Sequence, residues 1–155
     1  MAAEALSDTP AVTLEQRDTF FVCPNGRLKL REFSPTAGEL IFYRRADVAG
    51  TKQSYYLIAP VGSPEKLASL LAVAFGAWQT VVKTRMLFQV GQTRIHLDTV
   101  AGLGSFVELE VVLRNGQSVE EGHRIARELC AKLAIREKDL VDCAYADLLV
   151  RTHDG

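Results

Sequence analysis

A chain of 155 residues is long enough to form one domain with a hydrophobic core, and its 18 basic and 19 acidic residues give a net charge of −1. This balance excludes the uniform basic field of many nucleic-acid-binding and membrane-surface proteins, so any cationic site must be local. No apolar run is long enough to span a bilayer, and the acidic N-terminus lacks the apolar region of a secretory signal. We therefore expect a cytoplasmic protein that binds neither nucleic acid nor membranes.

Seven β-strands separated by turn signals are predicted along the chain, near residues 17–23, 27–33, 38–45, 54–59, 79–90, 92–100 and 105–113. Helices are predicted to begin after Ser63, where a proline follows, and after Ser118, where Glu121 completes a capping box. A short final helix or turn is expected over residues 137–149, and Gly91-Gln92 should join the fifth and sixth strands as a hairpin. The pattern predicts one α+β domain over residues 1–155.

Acidic side chains alternate with apolar ones along the last two predicted strands. Arg94, His96 and Asp98 share one face of the first strand, and Glu108 and Glu110 share one face of the second. Carboxylates on such a face must be solvated, paired with cations or bound to a metal. Hard cations such as Mg²⁺ are held by a few carboxylates together with substrate phosphates. The pattern therefore makes Asp98, Glu108 and Glu110 candidate metal ligands.

Basic side chains mark three other predicted strands. Two strands carry them at every second position, one with Arg27, Lys29 and Arg31 and the other with Lys83 and Arg85. A third strand ends in the pair Arg44 and Arg45. If the acidic and basic faces point into one space, that space can hold a polyanion together with a divalent cation. The alternative is a solvated outer face that is crossed by ion pairs between neighbouring strands. The spacing alone leaves both arrangements open.

Six segments between Leu14 and Leu149 carry a resemblance to a known family. They are QRDTFF, LKLRE, GELIFYRR, VKTRMLF, LDTVAGLGSFVELE and AYADLL, and the fifth is the most specific. In this order they resemble the CYTH superfamily, the triphosphate tunnel proteins, which includes class IV adenylate cyclases, thiamine triphosphatases and inorganic triphosphatases. The resemblance implies an antiparallel, barrel-like tunnel that is built from eight strands in the family and is lined by charged side chains.

The resemblance also implies a function and a set of site residues. The protein would bind a small-molecule triphosphate (ATP, thiamine triphosphate or tripolyphosphate) with Mg²⁺ or Mn²⁺, and would hydrolyse or cyclise it. The metal ligands would be Asp98, Glu108 and Glu110. The substrate contacts would be Lys29, Arg31, Arg44, Lys83, Arg85 and Arg94. Arg45 is expected to point away from the site, His96 to line it, and Tyr145 to anchor the C-terminal segment. No residue is assigned to the chemical step itself.

One element of the family is missing from this sequence. Relatives begin with a strand that carries E-x-E-x-K, whose acids help to hold the metal and whose lysine contacts phosphate. The opening segment of this chain instead resembles the end of the helix that follows that strand, so we expect Met1 to lie inside the domain and the domain to be N-terminally incomplete. A non-catalytic nucleotide- or polyphosphate-binding protein is therefore the alternative function. Seven strands in place of eight would also leave exposed sheet edges, through which a homodimer could form.

Overall fold

The computed structural model describes residues 2–45 and 54–153. These residues form seven β-strands: β1 (Val12–Phe21), β2 (Arg27–Ser34), β3 (Ala37–Arg45), β4 (Ser54–Val61), β5 (Ala77–Val90), β6 (Thr93–Val100) and β7 (Gly104–Val111). They also form four α-helices: α1 (Ala2–Leu6), α2 (Pro64–Phe75), α3 (Val119–Lys132) and α4 (Tyr145–His153). The start at Met1 and the direction of the Arg45 side chain lie outside the described part of the chain.

The seven strands form one antiparallel sheet in the order β4-β3-β2-β1-β5-β6-β7. The sheet curls into a half-barrel flanked by the four helices, which confirms the predicted α+β fold. The predicted hairpin between β5 and β6 is present, and Gly91 turns it with a φ of 54°, a conformation that favours glycine. Because β1 lies in the middle of the sheet, its side chains have neighbours on both β2 and β5.

Helices cover parts of the outer face of the sheet, the face that carries Leu30 and Ile95. Helix α2 begins at Pro64, as the sequence predicts, and buries an apolar cluster that includes Phe21, Leu30 and Leu71. A second cluster joins α1 to the sheet and includes Ala3, Phe88 and Ile95. Helix α3 begins with the predicted capping box, formed by Ser118 and Glu121. Within residues 2–45 and 54–153, none of the helices has the length and apolar character needed to cross a membrane.

The inner face of the sheet is divided into an apolar part and a charged part. Helix α4 packs on the apolar part, in a core cluster made of Phe20, Ile41, Tyr43, Val81, Val100, Ala146 and Leu149. Arg27 fixes this helix to β2, because its guanidinium donates two hydrogen bonds to the carboxylate of Asp147 at 2.9 and 2.8 Å. The charged part carries side chains from β1, β2, β5, β6 and β7. Helix α4 therefore borders the candidate site.

Two element boundaries differ most from the sequence prediction, and the others agree to within two residues. Strand β1 begins at Val12 and not at residue 17, because residues 12–16 pair with β5, from Val12 opposite Leu87 to Gln16 opposite Lys83. The final helix covers Tyr145–His153, and residues 137–149 contain only a 3₁₀ turn at Glu137–Asp139 before it. In both places contacts that are distant in sequence determine the boundary. Local patterns of polar and apolar residues cannot reveal such contacts.

Candidate functional site

A buried carboxylate on β1 gathers three cations from the neighbouring strands. Asp18 accepts hydrogen bonds from Lys29 Nζ at 2.8 Å, from Arg31 Nε and Nη2 at 2.8 and 2.7 Å, and from Lys83 Nζ at 3.2 Å. Asp18 can reach all three because β1 lies between β2 and β5 in the sheet. We call Asp18, Lys29, Arg31 and Lys83 the cationic group. Its three cations share one carboxylate, so the group carries an excess of positive charge.

Burial and mutual charge decide the protonation of the cationic group. Burial opposes the ionisation of Asp18, but the charges of Lys29, Arg31 and Lys83 hold the pKa of this carboxyl well below its ordinary value. Burial lowers the pKa of Lys29 to about 8, against the opposing effect of Asp18. Burial also lowers the pKa of Lys83. At neutral pH the group therefore keeps its cations, although Lys29 lies close to its titration range.

A second ionic group lies on β5, β6 and β7. Arg85 donates to Asp98 through Nε at 2.7 Å and Nη2 at 2.6 Å, and its Nη2 also donates to Glu108 at 2.8 Å. The hydroxyl of Tyr145 donates to Asp98 Oδ2 at 3.0 Å, so this tyrosine anchors α4 to the site as the sequence indicated. Burial and the neighbouring carboxylates raise the pKa of Tyr145 far above its usual range. Tyr145 therefore remains a neutral hydrogen-bond donor.

The two glutamates of β7 are more open than the aspartates. The side chain of Glu108 is 40% exposed and that of Glu110 is 34% exposed. His96 lies between them, with Nδ1 3.6 Å from Glu108 and Nε2 3.9 Å from Glu110. Arg94 contacts Glu110 at 3.3 Å. Partial burial acts against ionisation of Glu108, but His96 and Arg85 hold the pKa of Glu108 well below its ordinary value. Both glutamate side chains are thus partly open to solvent.

The cationic group and the β7 glutamates act on one another electrostatically. The charge of Glu108 favours the ionised form of Arg31, whereas Arg85 opposes it. In the same way, the charge of Asp98 favours the protonated form of Lys83, and the charge of Arg85 opposes it. One part of this surface can therefore attract a polyanion while the adjacent part can attract a cation. A ligand that carries several phosphates together with a divalent ion has both kinds of charge.

The predicted site residues fall into three positions. The inner face brings together five of them: Lys29, Arg31, Lys83, Arg85 and Asp98. This surface is extended along β6 and β7 by Arg94, Glu108 and Glu110. Arg44 lies apart from them. It alternates along β3 with Tyr43 of the inner core, it is exposed, and its Nε donates to the carbonyl of Asn25 at 3.0 Å. In the described residues, no group of three or more His, Cys, Asp or Glu side chains could hold a metal ion.

Asp18 is the functional candidate that sequence reasoning missed. It belongs to the QRDTFF segment, and the signal available was its position between Gln16 and Phe20 on one face of a strand. An acid on an otherwise uncharged strand face requires a partner when that face is buried. The burial became known only from the pairing of β1 with β2 and β5.

The fold agrees with comparisons to known proteins. A model of the CYTH domain matches residues 1–145. The PH1012 protein of Pyrococcus horikoshii is 22% identical with a TM-score of 0.77, over 88% of this chain and 83% of that chain. A conserved hypothetical protein of Pyrococcus furiosus is 23% identical, with the same TM-score of 0.77 and coverage of 88% and 83%.

A third solved structure comes from Vibrio parahaemolyticus and is described as a "putative adenylate cyclase". It is 19% identical, with a TM-score of 0.72, over 91% of this chain and 85% of that chain. Identities this low show a common fold, and the comparison with curated proteins gives no match. The family match covers nearly the whole chain and includes every residue of the two ionic groups. This chain therefore belongs to the CYTH domain family.

Proposed function

We propose that the inner face binds a small-molecule triphosphate and that the protein hydrolyses or cyclises it. The observation that carries the proposal is the cationic group, in which Lys29, Arg31 and Lys83 share the single carboxylate of Asp18. An excess of buried positive charge attracts an anion strongly, because solvent screens it poorly. Arg85 acts on Lys83 electrostatically, and its own charge is paired with Asp98 and Glu108. ATP, thiamine triphosphate and tripolyphosphate all carry the required chain of phosphates.

A divalent cation, Mg²⁺ or Mn²⁺, fits the oxygens of the β7 glutamates. Glu108 and Glu110 are half-exposed carboxylates on one strand face, and Mg²⁺ commonly takes one or two carboxylates and completes its shell with phosphates and water. Asp98, the third predicted ligand, already accepts three hydrogen bonds from Arg85 and Tyr145. Asp98 is also only 1% exposed, so it is less accessible to an ion than the two glutamates. When bound, such an ion would offset phosphate charge and activate a water or ribose hydroxyl.

The chain's own residues would contribute mainly position and charge to the reaction. Phosphoryl transfer is catalysed largely by orienting the phosphates and stabilising their charge, and the cations of both ionic groups are suited to that role. Arg31 and Arg85 are held by buried aspartates, so their guanidinium planes are fixed before any ligand arrives. The likeness to a "putative adenylate cyclase" supports a nucleotide as one candidate substrate.

The proposal is tested by measuring binding and turnover on the same protein. Calorimetry measures the affinity for tripolyphosphate, ATP and thiamine triphosphate, and assays of phosphate release and cyclic nucleotide follow each ligand with and without Mg²⁺ or Mn²⁺. Turnover that is lost in Arg85→Met but kept in Arg17→Met would support the inner face as the site. Arg17 is the matched control because its side chain is 60% exposed on the other face of β1. Absence of both binding and turnover in the parent protein would refute the proposal.

A second candidate function is the binding of a nucleotide or polyphosphate without catalysis. It is favoured by the finding that, in residues 2–45 and 54–153, no three His, Cys, Asp or Glu side chains are grouped so as to hold a metal ion. The same calorimetry distinguishes the two functions. Tight binding of tripolyphosphate with no phosphate release in the presence of Mn²⁺ would favour the binding protein.

We also propose that strand β4 mediates a homodimer. β4 is an edge of the sheet, and Tyr55, Tyr56, Leu57 and Ile58 are exposed on it. The strand carries no charged residue, so a two-fold copy would bring no like charges opposite each other. Sedimentation analysis should show a dimer that Leu57→Lys converts to a monomer. Leu70→Lys on exposed α2 is the control and should leave the dimer intact. A monomeric parent protein would contradict this contact.

A further inference from the structure

We propose that Asp18 is a positioning residue, whose carboxylate arranges Lys29, Arg31 and Lys83 into one anion-binding array. This inference rests on the proposed function, because the array has a purpose only if the inner face binds a phosphate chain. Asp18 itself would not touch the ligand. Its role would be to hold three long side chains, from β2 and β5, so that their remaining donors converge.

The hydrogen bonds of the cationic group leave donors available for a ligand. Asp18 receives Nε and Nη2 of Arg31, and Nη1 has no hydrogen-bond partner among the described residues. Each lysine ammonium has three N–H groups, and Lys29 and Lys83 both direct one to Oδ2 of Asp18. The carboxylate therefore binds one side of each cation. The other donors are free to bind phosphate oxygens.

Asp18 is rigidly defined, which is what a positioning residue requires. The residue is only 1% exposed, and its two oxygens accept four hydrogen bonds from three residues. The aromatic rings of Phe20 and Tyr43 lie 5.5 and 5.7 Å from Lys29 Nζ, which further restricts this ammonium. Without Asp18, three like charges would repel one another. The long side chains would then separate, because lysine and arginine have many accessible rotamers.

Asp18 could also have a simpler role, that of a counter-charge, and the two roles predict opposite changes in affinity when its charge is removed. As a counter-charge it would compete with the ligand for the three cations, so removing its charge should tighten the binding of a polyanion. As a positioning residue it prepares the cations for the ligand, so removing its charge should weaken binding although the site becomes more positive. The sign of the change in affinity therefore separates the two roles.

The pH dependence of binding gives a second readout. Three charged groups face the ammonium of Lys29: Asp18 on β1, Arg31 on β2 and Lys83 on β5. Burial and the two cations lower its pKa to about 8, while Asp18 raises it. In Asp18→Asn the lysine should therefore lose its proton at a lower pH. Binding by this variant should recover between pH 8 and pH 6 more than binding by the parent protein. A role for Asp18 in folding alone would not produce that shift, and the sign of the change in affinity separates positioning from a counter-charge.

The test is calorimetry of tripolyphosphate binding, without metal, to the full chain and three variants. We expect Asp18→Asn to weaken binding by about tenfold or more, the size typical of losing charge-assisted hydrogen bonds. Asp18→Glu should retain more affinity than Asp18→Asn because it keeps a carboxylate. Glu15→Gln is the matched control and should bind as the parent does, since Glu15 is an exposed acid on the other face of β1. Circular dichroism confirms that each variant is folded.

If Asp18→Asn does not fold, the effect of removing the Asp18 charge is measured in a variant that has less buried positive charge. Lys83→Met removes the cation that lies farthest from Asp18, at 3.2 Å. The double variant Asp18→Asn with Lys83→Met should then bind more weakly than Lys83→Met alone. Equal or tighter binding in either comparison overturns the positioning role while leaving the proposed function intact. A parent protein that binds no tripolyphosphate overturns the proposed function, and this inference falls with it.

Discussion

Arg85 and Asp98 form a bidentate ion pair between β5 and β6, with Nε–Oδ1 and Nη2–Oδ2 distances of 2.7 and 2.6 Å. Their backbones are direct partners in the sheet, and both side chains are buried. Asp18 and Arg31 repeat this arrangement between β1 and β2, again through Nε and Nη2. Two arginines of the inner face are thus oriented by two buried aspartates. This geometry provides the first prediction.

Replacing Asp98 by asparagine should strongly destabilise the fold. The substitution leaves the buried guanidinium of Arg85 without its main counter-charge, and breaking a buried pair in this way costs about 3–5 kcal/mol. Urea denaturation measures the free energy of unfolding. Glu128→Gln is the control, because it breaks an exposed pair with Arg124 on α3 and should change stability by less than about 1 kcal/mol. Equal losses in the two variants would contradict the importance of burial here.

Replacing Arg31 by alanine should weaken tripolyphosphate binding without abolishing the fold. Removing one charge-assisted contact to phosphate corresponds to a loss of about 1–3 kcal/mol in binding free energy. Calorimetry measures the affinity, and the rise in melting temperature with ligand gives an independent estimate. Arg17→Ala is the control because its exposed side chain pairs with Glu32 away from the inner face. A variant lacking Arg31 that bound tripolyphosphate as tightly as the parent would argue against the cationic group as the site.

Replacing both Glu108 and Glu110 by glutamine should remove the binding of Mn²⁺ while the protein remains folded. Both carboxylates are half-exposed, so neutral amides of the same shape can be accommodated at these positions. Calorimetric titration with Mn²⁺ measures the effect. The double variant Glu120→Gln with Glu128→Gln on the exposed surface of α3 is the matched control. Unchanged Mn²⁺ affinity in the β7 variant would exclude these glutamates as ligands.

The affinity for tripolyphosphate should fall as the pH rises through about 8. Burial lowers the pKa of Lys29 to about 8, and an anion binds the protonated ammonium more tightly than the neutral amine. Deprotonation of Lys29 above this pH therefore removes a favourable charge from the empty site. Calorimetry at pH 7 and pH 9 measures the change.

The charge of tripolyphosphate also varies over this pH range, so Lys29→Met provides the control. The parent and the variant meet the same ligand, and the difference between them isolates the contribution of the lysine. We expect a smaller decline in Lys29→Met than in the parent. An identical pH profile for both proteins would show that Lys29 does not titrate in this range or does not contact the anion.

The sequence by itself determined the class of fold, most of its elements and which side chains share a face of each strand. The alternation of Lys29 and Arg31 with Leu28 and Leu30 fixed which side chains share a face of β2. The capping box at Ser118 and the turn at Gly91 also follow from local chemistry. Such features depend on a few neighbouring residues, and for that reason they can be predicted without knowledge of the tertiary structure.

Only the tertiary structure decided how the charges are paired and which faces point inward. Alternation divides β3 into two faces, but the pairing of the strands and the packing of α4 place Tyr43 inside and Arg44 outside. Asp98 carries the same charge as the β7 glutamates, yet its position opposite Arg85 makes it the counter-ion of that arginine. Asp18 reaches its three cations because β1 lies between β2 and β5. These relationships join residues that are 11 to 65 positions apart. Charge pairing depends on distance in space, and a linear pattern does not contain that distance.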